Sequence, residues 1–383
     1  MLAAELRSRR LFAQGLRGPD ASRPAPTTAP EVVRRALAVQ AQEYLPAQWG
    51  LAQRIAPDGR PDAAAVAAAI DRGEILRTHV LRPTWHFVAP DDARWLLELS
   101  APRVRRQMAG TIRKAGWDGE AGTRAVDVVA RSVAGGHRTR GEIAQELERA
   151  GLPTAGLLFV LLIAELELVA ISGASAGRQR TYAAFDERVP AAAPRPREEA
   201  LAELVDRALS TRGPATVRDL AAWSGSTLGD VRTALAAASE RSPGRIERLD
   251  DDEEELWHDA EVAAAWSARP AARAAHDDDG ERVDLLQGYD EYIMGYAMPR
   301  AYLQPPGVEA PIIPEFPLHA MLAGGVMVGR WAPVVQGGRA TLRVLPWRVF
   351  SRGERRSLDA GLAEVGAFLG MSTDVAFEPM DGE

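Results

Sequence analysis

Apolar side chains recur every three to four residues in three stretches of the chain, and each time this helical rhythm gives way to a short alternating run. In residues 31–118, a helical pattern over 30–41 precedes a second around 48–55 and a third over 62–72. Residues 75–88 then alternate about a turn at Arg82-Pro83. The second stretch, 119–192, repeats this order with helices near 123–133, 139–150 and 154–165. Thr139, with Glu142 three residues on, has capping-box spacing, and two short strands flank the turn 173–177. In 193–268 the helices fall at 198–210, 216–224 and 227–239, and the strands at 245–249 and 255–258. Pro- and Gly-rich segments at 15–30, 116–122, 189–197 and 269–280 separate these stretches; the last contains an acidic run, 277–279.

Helix, helix, helix, hairpin is the winged-helix order. The fold class expected is therefore mainly α with β-hairpin wings (α+β): three tandem winged-helix units preceded by an amphipathic helix and linker over 1–30. From residue 280 to 383 the texture changes to short alternating runs at 283–286, 320–331 and 340–349 and a closing helix over 356–369, which predicts a separate, small β-rich domain. The third helix of the second unit is apolar on every side, so it is expected to be buried and not to read a DNA groove. The third unit carries an acidic turn, 250–254, at its wing tip, which would repel phosphate. By this reading only the first unit can approach DNA closely.

The 383 residues suffice for two to four compact units. The absence of cysteine rules out disulfides, thiolate metal sites and a cysteine nucleophile. The longest apolar run, 157–163, is far below the roughly 20 residues needed to cross a bilayer. Residues 1–16 have arginines but no continuous apolar segment like that of a secretory signal. A cytoplasmic protein without membrane contact is expected. The net charge of −7 is unevenly spread: residues 1–120 carry 18 Lys and Arg against 13 Asp and Glu, the remainder 28 against 40. Arg103, Arg105, Arg106, Arg113 and Lys114 lie in a stretch free of acids, which reads equally as a solvated face or a phosphate-binding one.

Gln40 and Gln42 stand two apart before Pro46. On a regular helix such positions point about 200° apart, so converging amides require the helix to end or loosen there. Spacing alone favours two surface glutamines. A turn centred on Arg82-Pro83 sets His79 opposite His86, as contacts to phosphate or an extruded nucleotide, as hydrogen-bonding partners within the hairpin, or as two ligands of a metal with no third nearby. Arg82 would then sit at the tip, ready for a phosphate or the minor groove. Trp49, Trp85 and Trp95 read as core residues in preference to stacking platforms.

The segments VQAQ, WGLAQR, RTHVLRPTWHFVAPDDARWLL and LLQGYDEYIMGYAMPR together resemble the winged-helix DNA glycosylases of the AlkZ/YcaQ group, over about residues 9–369. Gln40-Ala41-Gln42 matches that group's Gln-Φ-Gln branch, in which the two glutamines lie in the catalytic centre. The resemblance implies three winged helices in a C-shape and removal of bulky N-alkylated purines, including crosslinked ones, in some members as self-resistance to a genotoxic natural product. It implies Gln40 and Gln42 as catalytic residues, and it strengthens the first reading of His79 and His86 through the RxTWH match. Arg54, Arg77, His79, Arg82, Thr84, His86, Arg103, Arg106 and Lys114 are the DNA-binding candidates. Asp290 and Glu291 match a family signature whose role the sequence leaves open. Tyr289 stands where the family more often has Phe, and the basic residues usual after Gly-Tyr are reduced to Arg300.

An N7- or N3-alkylated purine already carries positive charge and leaves without a strong acid, so the site has only to position water and stabilise an oxocarbenium-like sugar. Amide oxygens can do the first, though neither amide is a useful base. Glu43 is a candidate base, more simply read as exposed. Lys114 is the only lysine that could form a Schiff base. A monofunctional, monomeric hydrolase acting on alkylation-damaged double-stranded DNA, with no metal or cofactor, is the simplest expectation. A non-catalytic winged-helix regulator and a protein-binding scaffold are the alternatives.

Overall fold

The computed structural model describes residues 3–18, 23–250, 254–269, 280–305 and 319–378. The expected acidic run 277–279 and most of the acidic turn 250–254 lie outside them. After α1 (Ala3–Ala13) come α2 (Ala29–Ala36), β1 (Ala38–Gln40), α3 (Tyr44–Ala52), α4 (Ala63–Asp71), β2 (Leu76–His79) and β3 (Trp85–Val88). The same succession recurs in α6 (Glu120–Val133), β4 (Arg138–Thr139), α7 (Arg140–Arg149), α8 (Leu157–Leu166), β5 (Ala170–Ser172) and β6 (Thr181–Ala184). It recurs again in α10 (Arg197–Arg212), β7 (Ala215–Thr216), α11 (Val217–Ser224), α12 (Leu228–Arg241), β8 (Ile246–Asp250) and β9 (Glu255–Asp259). Each unit forms a three-stranded antiparallel sheet in the order first–third–second. The long α5 (Pro90–Lys114) joins the first unit to the second, and α9 (Phe185–Arg188) and α13 (Ala260–Ser267) follow the second and third.

Sequence periodicity finds the helices and hairpins of each unit but misses its short first strand. In the first unit that strand changes the site. The helix expected over 30–41 stops at Ala36 because Leu37 takes a positive-φ backbone (φ 68°, ψ −52°), a sparsely populated conformation costing a non-glycine residue about 1–3 kcal/mol. The turn is held from a distance: the buried Arg212 guanidinium donates to the carbonyls of Ala36 (3.0 Å) and Ala38 (2.9 Å), satisfying groups that a helix end leaves open. In the second unit the expected capping box forms, with Glu142 accepting from the Thr139 N–H at 2.7 Å and Thr139 Oγ1 accepting from the Glu142 N–H at 3.2 Å. The apolar α8 is buried from Val160 to Leu166, as its composition demanded.

The C-terminal residues form a five-stranded sheet of β10 (Val283–Leu286), β11 (Ala320–Ala323), β12 (Val326–Gln336), β13 (Arg339–Pro346) and β14 (Ser372–Phe377), with α15 (Arg352–Leu369) packed on β10. The last pair is parallel and the others antiparallel. This sheet does not have a core to itself. Val283, Met321, Leu342, Val344 and Phe368 belong to one apolar cluster with Val33, Val39, Trp49 and Phe87 of the first unit. A second cluster joins Val80, Leu81 and Leu96 to Trp223 of the third unit and to Tyr292 and Tyr296 of the segment after β10. Gln40 lies where these two cores meet. No helix among the described residues is long and apolar enough to cross a membrane.

Candidate active site

Gln40 ends β1, paired with His86 on β3, and the Ala41 N–H continues the ladder to the Trp85 carbonyl at 2.7 Å. Residues i and i+2 of an extended chain lie on one side, so Gln40 and Gln42 share a face because they leave a strand, not because a helix frays. Arg82 Nη2 donates to Gln40 Oε1 at 2.8 Å, and the Trp85 N–H donates to Gln42 Oε1 at 3.2 Å. Both donors lack any acceptor, which fixes the orientation of both amides. Each oxygen keeps a second lone pair, and among the described residues neither amide NH2 has a protein partner.

The tip of the β2–β3 hairpin is turned inward. Val80 and Leu81 are buried, and Leu81 packs so closely on Gly225 of the third unit that a Cβ there would sit 2.3 Å from the Leu81 carbonyl oxygen. Arg82 is therefore not an exposed tip; besides Gln40 it reaches the Met294 carbonyl at 3.4 Å. Burial lowers its pKa to about 10, partly countered by Glu291, so it stays cationic at neutral pH. Arg82 Nε and Thr84 Oγ1, both beside the amides, are buried without a protein partner.

The loop 80–84 is centred on Arg82, half a residue from the expected centre, and that shift separates the histidines. His79 pairs with Trp85, and His86 with Thr78. His86 is fully buried, its Nδ1 donates to the Thr84 carbonyl at 2.9 Å, and burial with Arg82 nearby holds its pKa well below 6.5, so it is neutral. His79 Nδ1 lies 2.6 Å from Glu165 Oε2, which also accepts from the His79 N–H (2.8 Å) and Thr78 Oγ1 (3.2 Å). Of the three readings left open, both histidines meet the structural one. Glu165 projects from the apolar α8 and was invisible as a partner because the contact spans 86 residues.

Asp290 and Glu291 lie at the start of α14 (Glu291–Met294) and close the site from behind. Glu291 Oε1 accepts from the Gln40 N–H at 2.7 Å, and Oε2 accepts from Arg212 Nη2 (2.7 Å) and Trp223 Nε1 (2.9 Å). One buried carboxylate thus ties the catalytic-candidate strand to the third unit. Asp290 receives both terminal nitrogens of Arg54 at 2.9 Å, a fork-shaped pairing. Arg54 also donates to the Gln14 and Gly50 carbonyls, so it is a buried brace and not an available DNA contact. Arg77 is buried too: it donates to the Ala41 carbonyl (2.9 Å) and lies over the Trp85 ring, 4.3 Å from its centre.

Of the remaining candidates, Arg106 and Lys114 are exposed on α5 and Arg103 is half-buried there; neighbouring Arg105 pairs with Glu167, and Arg113 with Asp118 at 3.6 Å. Glu43 is hydrogen-bonded to His319 Nε2 at 2.6 Å, and this bond lowers its pKa, which makes it a weaker base. Trp49 and Trp95 are core residues, whereas Trp85 is partly exposed with its ring tilted against His79 at 4.3 Å.

Two fixed carboxamides and a cation polarising one of them define a site suited to placing a neutral nucleophile against an already activated bond. A family model described as DNA glycosylase AlkZ-like matches residues 33–368. The chain belongs to the AlkZ-like DNA glycosylase family. Comparison with curated sequences gives no match. Among solved structures, the DNA glycosylase AlkZ of Streptomyces sahachiroi superposes with a TM-score of 0.74 at 20% identity, over 98% of this chain and 99% of that one, which is a likeness of fold.

Proposed function

We propose that this glycosylase is monofunctional and hydrolyses the N-glycosidic bond of bulky N7- or N3-alkylated purines in duplex DNA, with Gln40 and Gln42 as its catalytic residues, and that its three repeated units are winged helices. The observation that carries the reading is the pair of amides leaving one strand on one face, each with an unused lone pair and an unpartnered NH2. The amides hold a water whose oxygen bonds to C1′ as the C1′–N9 bond breaks. The electron pair of that bond neutralises the cationic ring of the leaving purine, and the water proton passes to solvent. The substrate's own charge replaces a general acid, in keeping with a site where His86, the cross-strand neighbour of Gln40, is neutral and buried. The only lysine, Lys114, ends α5, so a Schiff base has no obvious donor and an abasic site is the expected product.

Arg103, Arg106 and Lys114 are proposed to meet the phosphate backbone, with the protein acting as a cytoplasmic monomer in repair or self-resistance. The test is product analysis on duplexes carrying N7-alkylguanines of increasing size. Free alkylated base and an intact but alkali-labile strand support the proposal. Strand cleavage without alkali overturns the monofunctional assignment, and release of small but not bulky adducts overturns the substrate class.

A further inference from the structure

The sequence assigns DNA contact to the first unit alone, but the second unit brings two arginines to its border. Arg140, the first residue of α7, lies 5.6 Å from the centre of the Trp85 ring, and Arg180, at the end of the β5–β6 hairpin, lies 4.8 Å from that of Tyr44. Arg77 stands between them, 4.3 Å from Trp85 and 5.8 Å from Tyr44. All three line one small pocket with Glu165 and Tyr182.

The positive charge there is only partly balanced. Among the described residues neither Arg140 nor Arg180 pairs with a carboxylate. Of the carboxylates nearby, Glu165 lines the same pocket, its Oε2 taken by His79 and Thr78, and acts on Arg77 against the arginines, while Asp71 accepts the Ser175 N–H at 2.8 Å. The repulsion is felt within the cluster: after burial, Arg180 is the largest influence lowering the Arg77 pKa to about 10, and Arg140 adds to it. Three guanidiniums against the one carboxylate that lines the pocket leave an excess of positive charge that favours binding an anion, and guanidiniums suit phosphate oxygens. The cluster adjoins the catalytic candidates directly, since Trp85 donates to Gln42 and Arg77 holds the Ala41 carbonyl.

We propose that Arg140 and Arg180, gathered with Arg77 around the rings of Trp85 and Tyr44, form a phosphate clamp through which the second unit grips the DNA backbone beside the Gln40–Gln42 site. The clamp takes its ligand, a phosphodiester of duplex DNA, from the glycosylase reading. Its aromatic floor holds the guanidiniums in place, and Arg180, exposed and without a partner carboxylate, makes the outer contact.

The measurement is the salt dependence of binding to an undamaged duplex oligonucleotide. Each arginine that neutralises a phosphate adds about one to the slope of log affinity against log salt concentration. The double variant R140A/R180A is expected to bind with a slope shallower by about two and R180A by about one, while R180K keeps the original slope. Because Arg180 is exposed, R180A keeps the test open should R140A disturb folding through Tyr182. Slopes in R180A and the double variant equal to that of the unaltered protein overturn the clamp. Duplex binding with a steep slope that falls in the variants, but without base release from any alkylated substrate, leaves the clamp standing and removes the glycosylase activity; failure of the unaltered protein to bind duplex overturns both.

Discussion

Replacing Glu291 with glutamine tests whether a carboxylate behind the site holds Gln40 in place. Every group pointing at Glu291 is a donor: the Gln40 N–H at one oxygen, and Arg212 and Trp223 at the other. A glutamine has one oxygen and one NH2, so whichever way it turns, a donor meets a donor. The substitution also leaves the buried guanidinium of Arg212 without its counter-charge, and breaking such a pair costs about 3–5 kcal/mol. Against a total stability of about 5–15 kcal/mol, that is a large share. Urea unfolding of E291Q is expected to show a midpoint lowered accordingly. Because Arg212 also caps the turn at Leu37, excision by the fraction still folded is expected to fall as well. A variant within about 1 kcal/mol of the original in stability and equal in excision rate refutes the claim that this carboxylate fixes the strand.

Removing the Arg82 side chain leaves Gln40 Oε1 without its charged donor, a hydrogen bond worth about 1.5–3 kcal/mol; R82A is expected to lose about tenfold or more in single-turnover excision, and an unchanged rate removes Arg82 from the site. His86 has a pKa depressed in the folded protein, so its contribution to stability is complete above pH 6.5 and declines as the pH falls below that value, where only the unfolded chain takes up the proton. Melting temperatures from pH 7 to 5 are expected to fall less steeply for H86N than for the original protein, His258 contributing equally to both; identical slopes contradict a neutral, buried His86. Glu43 is exposed and held by His319, which lowers its pKa and makes it a weaker base, so E43Q is expected to excise within about threefold of the original. A loss of about a hundredfold or more would mark it as a general base.

What was legible in the sequence follows from the range of the interactions involved. Helices and hairpins of the three units were read from periodicities set by neighbouring residues, and the Thr139–Glu142 box from a spacing of three. β1 was not readable: Val39 and Gln40 continue an acceptable helical pattern, and the turn before them is held by Arg212 and Glu291, which are remote in the chain. The amides were singled out on the family motif, while the geometry that lets them converge came from the missed strand. Arg54 and Arg77 read as DNA contacts in the sequence because a cation in a basic segment looks free until its partner, here Asp290 or the Ala41 carbonyl, is seen. Arg82 reads as an exposed tip in the sequence because nothing local announces that Gly225 admits Leu81. In the pair Asp290-Glu291 the reverse holds: a motif without a visible role proves to be the brace behind the site.

The most direct test of the account is the single-turnover rate of base release from an N7-alkylguanine duplex by the unaltered protein and by Q40A, Q42A and the double variant. The account predicts loss of about a hundredfold or more for each single variant, by analogy with removal of one oriented polar group from a transition state. It further predicts a double variant little worse than the singles, because both amides hold one water. A double variant that releases the base at the original rate would contradict it.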